Sequence, residues 1–284
     1  MQKLEVYQSL WGMELRNPAV PERTPEEAFA MVAAAGFDGM CLDPSVAEIA
    51  ENRQYQALFR RHELGCMINA FPATPADMLP LLDFAVSMDA CIVNVISGVM
   101  PMKPQEAVPA VRRWMAEATD RNMPLLFETH RDSLLNDLYF TLQLMELVPE
   151  MRLCADLSHM VVDRELRVPV PERDQRRIEA VLERSDCFQG RVANREQIQV
   201  QLSFPQHQVW VDVFRAWWKT GMRRWRQRNG ADATLRFLCE LGPPPYAITD
   251  ANQNELSDRW QESLQIRDWV RHIWAALDSE LTET

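Results

Sequence analysis

The chain has 284 residues, 47% apolar and 25% charged, which is ordinary globular composition, and its formal charge is −11. An acidic surface repels phosphate backbones, so nucleic-acid binding is disfavoured. No run approaches the ~20 apolar residues that span a bilayer, and the start MQKLEVYQSLWGMEL lacks the basic segment, apolar core and cleavage site of a signal peptide. A cytoplasmic protein with neither nucleic acid nor membrane as partner is the expectation.

Apolar periodicity predicts a strand-then-helix rhythm along the whole chain. The first strand is LEVYQSLW (4–11). A helix follows in TPEEAFAMVAAAG, with Thr24 as N-cap, Glu27 three residues on and Gly36 at its end. FDGMCLD is the second strand, and VAEIAENRQYQALFRRHE reads as one helix. LGCMINAF and CIVNVIS are the third and fourth strands, followed by helices in PADMLPLLDFAVSMDA and KPQEAVPAVRRWMAEATDRN.

The second half repeats the rhythm. PLLFETH is followed by a helix in NDLYFTLQLMELV, and RLCADLS by one in ERDQRRIEAVLERS. CFQGRVA leads through a long loop to a helix around 207–228, and LRFLCEL precedes the closing helix DRWQESLQIRDWVRHIWAALDSEL. Eight such units of about 30 residues fit an α/β fold built as a (β/α)₈ TIM barrel better than an open sheet. An open doubly wound sheet usually carries a Gly-rich first turn, and this chain has nine glycines and no GxGxxG. With no linker or low-complexity stretch, residues 1–284 read as one domain.

The six cysteines, Cys41, Cys66, Cys91, Cys154, Cys187 and Cys239, are far apart, form no CxxC pair and sit in or beside apolar runs. Buried free thiols account for them. The basic stretch Lys219–Arg228 reads as the solvated face of a helix. Trp210, Trp217, Trp218 and Trp225 recur at helical spacing and read as core-facing or subunit-contact residues, which leaves a homodimer open.

Chemistry in a barrel gathers at the C-terminal ends of the strands. Strand five ends in Glu128 and, two residues on, His130; strand six in Asp156, then Ser158 and His159; strand seven carries Gln189 and Arg191; strand eight ends in Glu240. Taken alone, Asp156 either caps a turn with His159 opening a loop, or marks the edge of a site. Three carboxylates at equivalent strand ends are hard to explain as packing, because buried unpaired carboxylates must protonate, pair with a cation or bind a metal. Arg191 is one such cation; a divalent ion is the other.

The motifs FETH, CADLSH, FQGRVANREQIQVQ and CELGPPPY resemble the late-strand motifs of the xylose-isomerase-like TIM-barrel superfamily. That superfamily includes sugar (phosphate) isomerases and epimerases, inosose dehydratase, 3-dehydroshikimate dehydratase and the AP endonuclease IV group. The resemblance implies that Glu128, Asp156 and Glu240 hold one divalent metal, and that His159 contacts substrate. On strand seven the family's usual histidine is replaced by Gln189, which makes the ligand set all oxygen. Such a set suits Mn²⁺ or Mg²⁺ better than Zn²⁺. The zinc cluster of the endonuclease IV branch needs many histidines, and this chain has five in all.

With the metal in place, the resemblance implies a metal-dependent isomerase or epimerase of carbohydrate metabolism. Its substrate would be a sugar-like small molecule, a ketose or related polyhydroxy carbonyl compound. Glu128 and Glu240 would move the proton through an enediolate, while His159 and Arg191 hold hydroxyls or the enediolate oxygen. A metal-dependent dehydratase of an inosose or dehydroshikimate-like compound is the alternative. So is a non-catalytic barrel with a degenerate metal site, for which Arg191 bridging Glu128 or Asp156 would be the mark. Trp11, Phe71 and Tyr246 are candidate pocket walls, and the loop 193–206 is expected to cover the pocket.

Overall fold

The structure is a computed structural model that describes residues 1–282; the last two residues of the 1–284 span lie outside the described residues. Eight parallel strands close into a barrel in sequence order: β1 (Lys3–Ser9), β2 (Gly39–Leu42), β3 (Gly65–Ala70), β4 (Val93–Val95), β5 (Leu125–Glu128), β6 (Leu153–Ala155), β7 (Ser185–Gly190) and β8 (Thr234–Cys239). Closure is made by β1 against β8, paired from Lys3↔Thr234 to Gln8↔Cys239. The strands read as near-continuous apolar runs because each is covered on both faces, by the barrel interior and by helices outside.

The outer helices are α1 (Pro25–Ala34), α2 (Ile49–Asn52), α3 (Gln56–Arg61), α4 (Met78–Ser87), α5 (Pro104–Thr119), α6 (Leu138–Leu147), α7 (Leu157–Asp163), α8 (Glu172–Arg184), α9 (Gln208–Arg228) and α10 (Arg259–Thr282). The predicted capping box at Thr24 forms, with Glu27 N donating to Thr24 Oγ1 and Thr24 N to Glu27 Oε2. Trp210, Trp217, Trp218 and Trp225 on α9 are buried in the core shared by helices and barrel. Gly221 lets α9 approach β7, since a Cβ there would lie 2.5 Å from Phe188 Cε1.

Three expectations need correction. The helix predicted over VAEIAENRQYQALFRRHE is broken into α2, α3 and short 3₁₀ turns. Asn52 turns its Nδ2 back onto the Glu48 carbonyl, which competes with the regular ladder there. The first strand stops at Ser9, and Trp11 opens a 3₁₀ turn instead of ending the strand. Residues 157–163 form α7 rather than a loop, because the Asp156 side chain accepts from Ser158 N and caps it.

All six cysteines are free thiols, five of them buried. The lower barrel interior takes one side chain from each stave: Tyr7, Cys41, Met67, Ile92, Leu126, Cys154, Cys187 and Leu238. It is closely filled. A Cβ on Gly39 would come within 2.2 Å of Tyr7 Cε1 and 2.4 Å of the Gly65 carbonyl oxygen. Gly39→Ala is therefore expected to destabilise the protein by about 1–3 kcal/mol through overpacking. A urea midpoint equal to that of the parent would contradict that packing.

Candidate active site

Side chains two apart on a strand share a face. Two residues beyond each apolar interior residue, every stave carries a polar one: Ser9, Asp43, Asn69, Asn94, Glu128, Asp156, Gln189 and Glu240. All but Asp43 are buried. The strands thus stack a polar ring on an apolar floor, at the end of the barrel where their carbonyl termini point.

Hydrogen bonds run around this ring. Asn69 Nδ2 donates to Asp43 Oδ1 at 2.8 Å and to Glu240 Oε1 at 3.1 Å. Asn94 Nδ2 donates to Asn69 Oδ1 at 2.9 Å and also to Glu128 Oε2. Gln189 Nε2 donates to Glu128 Oε2 at 2.6 Å. Asp156 Oδ1 accepts from Ser158 N and Oγ, at 2.9 and 2.5 Å. Arg191 stands one step above the ring, 1% exposed, and its Nε reaches Asp156 Oδ2 at 3.1 Å while its Nη2 reaches Glu240 Oε2 at 2.7 Å.

Three buried oxygens in the ring, Asn94 Oδ1, Glu128 Oε1 and Gln189 Oε1, have no hydrogen-bond partner among the described residues. One oxygen from each of Glu128, Asp156 and Glu240 lies within 4.8 Å of the others. Four carboxylates face one guanidinium. Burial pushes Glu128 well above the usual carboxylate range, and the charges of Glu240 and Asp156 push it the same way. Burial raises Glu240 to about 8 against the pull of Arg191, with Asp43 and Asp156 adding to the rise. Burial also raises Asp43 to about 7, although Asn69 opposes it. Burial works against the charge of Arg191, but Asp156 and Glu240 outweigh it and hold the guanidinium protonated more firmly.

This donor set fits a divalent cation. The ring is short of positive charge, Glu128, Asp156 and Glu240 bring oxygens together, and Glu128 Oε1 and Gln189 Oε1 have no other partner. The same shortage fixes a pH dependence. A carboxyl whose pKa is raised on folding binds extra protons in the folded state, so stability falls as pH rises through the gap. Chelated protein is expected to lose stability between the ordinary carboxylate range and about pH 8, the value for Glu240. Mn²⁺ should flatten that slope. Urea midpoints at pH 6 and pH 8, with chelator and with Mn²⁺, measure it; a chelated protein more stable at pH 8 would contradict it.

Above the ring opens a cavity of about 460 Å³. Its walls come from the next residues of the same alternation: Trp11, Ser45, Phe71, Ile96, His130 and Arg191, together with Tyr246 from the loop after β8. Trp11 and Tyr246 meet edge-on with ring centroids 5.1 Å apart, and the Arg191 guanidinium stands 4.8 Å from the Tyr246 centroid. Gly242 makes room for this pair, since a Cβ there would come 2.3 Å from Trp11 Cη2. Asp43, Glu48 and Glu240 put acid groups on the lining.

Of the residues singled out from the sequence, Glu240 and Arg191 line the cavity, while Glu128, Asp156 and Gln189 lie buried in the ring. His159 is fully buried and does not line the cavity; His130 does, with its ring centroid 4.0 Å from that of His159. The loop 193–206 contributes no side chain to the cavity lining, contrary to expectation. It packs inward through Val200 and Leu202, both 1% exposed. Its Gln199 accepts from Gly242 N at 2.7 Å and donates to Gly242 O at 3.0 Å, which ties it to the Tyr246 loop. Asp43, Asn69 and Asn94 were not picked out from the sequence. The available signal was a lone polar residue at the same step of an apolar strand, as in MINAF and CIVNVIS.

No helix among the described residues is long and apolar enough to cross a membrane. No protein-family model and no curated protein matches the chain. Solved structures do. A xylose isomerase-like TIM barrel protein from Mycobacterium smegmatis, in complex with magnesium, is 15% identical over 96% of this chain and 97% of its own, with a TM-score of 0.62. D-allulose 3-epimerase from Methylomonas sp. is 13% identical over 96% and 99%, with a TM-score of 0.63. A "probable 3-DHS dehydratase AsbF" from Bacillus anthracis is 13% identical over 93% and 98%, with a TM-score of 0.57. The chain shares the fold of the xylose isomerase-like TIM barrels.

Proposed function

We propose that the protein is a divalent-metal-dependent isomerase or epimerase of a ketose or related polyhydroxy carbonyl compound. The observation that carries this reading is the convergence of Glu128, Asp156 and Glu240 beneath a cavity walled by aromatic rings and polar groups. Glu128, Asp156, Gln189 and Glu240 would hold the metal, Mn²⁺ or Mg²⁺ by their oxygen donors. When bound, the metal supplies Lewis acidity toward a carbonyl and its neighbouring hydroxyl.

The rest falls to the chain. Trp11 and Tyr246 offer flat apolar faces to a sugar carbon skeleton, and the acid groups on the lining accept from its hydroxyls. Glu240, on the cavity wall, is placed to take a proton from carbon. Glu128, with an oxygen within 4.8 Å of one of Glu240, is the partner for returning a proton. Arg191 and His130 face the oxygen that carries negative charge in an enediolate.

The test is solvent deuterium uptake at carbon, with ketoses, inososes and dehydroshikimate-like keto acids offered to the Mn²⁺-loaded protein. Uptake into a ketose without loss of water supports the reading; net water loss transfers it to a dehydratase. A second reading has one observation of its own. Arg191 bridges Asp156 and Glu240, as a barrel that has replaced its metal by a side-chain cation would arrange it. A chain that retains no Mn²⁺ and exchanges no deuterium would favour that reading.

A further inference from the structure

Three acids reach the lining of the cavity: Asp43, Glu48 and Glu240. Two of them are engaged. Glu240 accepts from Asn69 on one oxygen and from Arg191 on the other, and Asp43 accepts from Asn69 at 2.8 Å. Glu48 is different. Its Oε2 takes both Ser45 N, at 2.8 Å, and Ser45 Oγ, at 2.6 Å. Its Oε1 has no hydrogen bond among the described residues, and no cation pairs with the carboxylate. The bonds from Ser45 hold the Glu48 carboxyl below the usual carboxylate range, so it is charged at neutral pH.

Ser45 gives its hydroxyl proton to Glu48, which leaves its own oxygen as an acceptor. Its backbone N–H, a group an anion would use, is already taken by the same carboxylate. The side chains of this corner, on the connection from β2 to α2, therefore offer acceptors and negative charge and no free donor. The cation on the lining, Arg191, is occupied by Asp156, Gln199 and Glu240. Arg16 and Arg131 stand against the Trp11 and Tyr246 rings and do not line the cavity. An ammonium group has three donors and no acceptor, a hydroxyl has one donor, and an ionised carboxylate has only acceptors. The ammonium alone matches this corner in both hydrogen bonding and charge.

We propose that Glu48, with Ser45, is a specificity determinant that selects an amino-substituted ketose, holding its ammonium group away from the ring and excluding phosphorylated or carboxylated compounds. The inference deepens the reading above and rests on it for the ketose skeleton. β2 lies across the closed barrel from β6, the stave of Asp156. A substrate with its carbonyl end over Glu128, Asp156 and Glu240 can direct its other end toward the β2 side. The same corner opposes the carboxylate of a dehydroshikimate-like compound, since like charges brought together are costly.

Full-length protein in buffer containing Mn²⁺ is titrated by calorimetry with D-fructose, its 6-amino-6-deoxy analogue and its 6-phosphate, and solvent deuterium uptake is followed for each. The amine is expected to bind about tenfold tighter than fructose, the scale of hydrogen bonds to a charged group. The phosphate is expected to bind weaker than fructose by about tenfold or more. Glu48 is exposed, and glutamine keeps its shape and an acceptor toward Ser45. Glu48→Gln should weaken the amine about tenfold, weaken fructose by less than about threefold and tighten the phosphate. A preference for the amine that persists in Glu48→Gln, equal affinities for all three compounds, or tightest binding of the phosphate overturns the proposal. A charge preference lost in Glu48→Gln, with no deuterium uptake from any compound, supports Glu48 as the determinant and overturns the isomerase reading instead. Binding of none of the three overturns both.

Discussion

Replacing Glu240 by glutamine is expected to lower deuterium exchange into substrate by about 10²–10⁴-fold, the usual worth of a positioned acid–base group. The substitution keeps the shape of the side chain, so the cavity should survive. It removes the negative charge that pairs with Arg191 Nη2 at 2.7 Å and that contributes to the carboxylate group beneath. It also removes the proton acceptor on the cavity wall. Metal content measured beside exchange separates the two causes. Exchange lost with metal retained identifies a proton carrier, and loss of both identifies a ligand. Exchange within a few-fold of the parent would remove Glu240 from the mechanism.

Replacing Arg191 by methionine is expected to destabilise the chelated protein by about 3–5 kcal/mol, because breaking a buried pair strands the charge left behind. Two carboxylates are stranded here, Asp156 and Glu240, and Asp156 is 0% exposed. Methionine also gives up the guanidinium contacts with the Trp11 and Tyr246 rings, 5.8 and 4.8 Å from their centroids, a smaller loss than the stranded charges. A dication in the ring should restore much of the loss, since it neutralises the same oxygens. Urea unfolding of parent and variant, with chelator and with Mn²⁺, tests both halves. A chelated loss under about 1 kcal/mol, the range of an exposed pair, would mean that the ring does not depend on Arg191 for its charge balance. A loss that Mn²⁺ leaves untouched would favour the side-chain cation as a permanent substitute for metal.

Strand order and barrel class were legible because apolar runs recur at a regular interval, and each run must be buried on two faces. The cap at Thr24 was legible because a cap is local, involving residues two or three apart. Glu128, Asp156 and Glu240 stood out because a carboxylate after an apolar run is expensive without a partner. Asn69 and Asn94 did not, because an amide in a strand is cheap enough to pass for an accident. Only when all eight strands are seen in register does each fall two residues beyond an apolar floor residue and join one ring.

The sequence by itself determined the periodicity and the handful of acids at strand ends. Alternation within a strand is a local property, readable from neighbours. Tertiary structure alone decided which of those acids meet, that Arg191 spans Asp156 and Glu240, and that His130 rather than His159 faces the cavity. Those contacts join residues tens of positions apart, and only closure of the barrel between β1 and β8 brings their staves to one rim. Tertiary packing also set the loop 193–206, whose Val200 and Leu202 are buried beneath it.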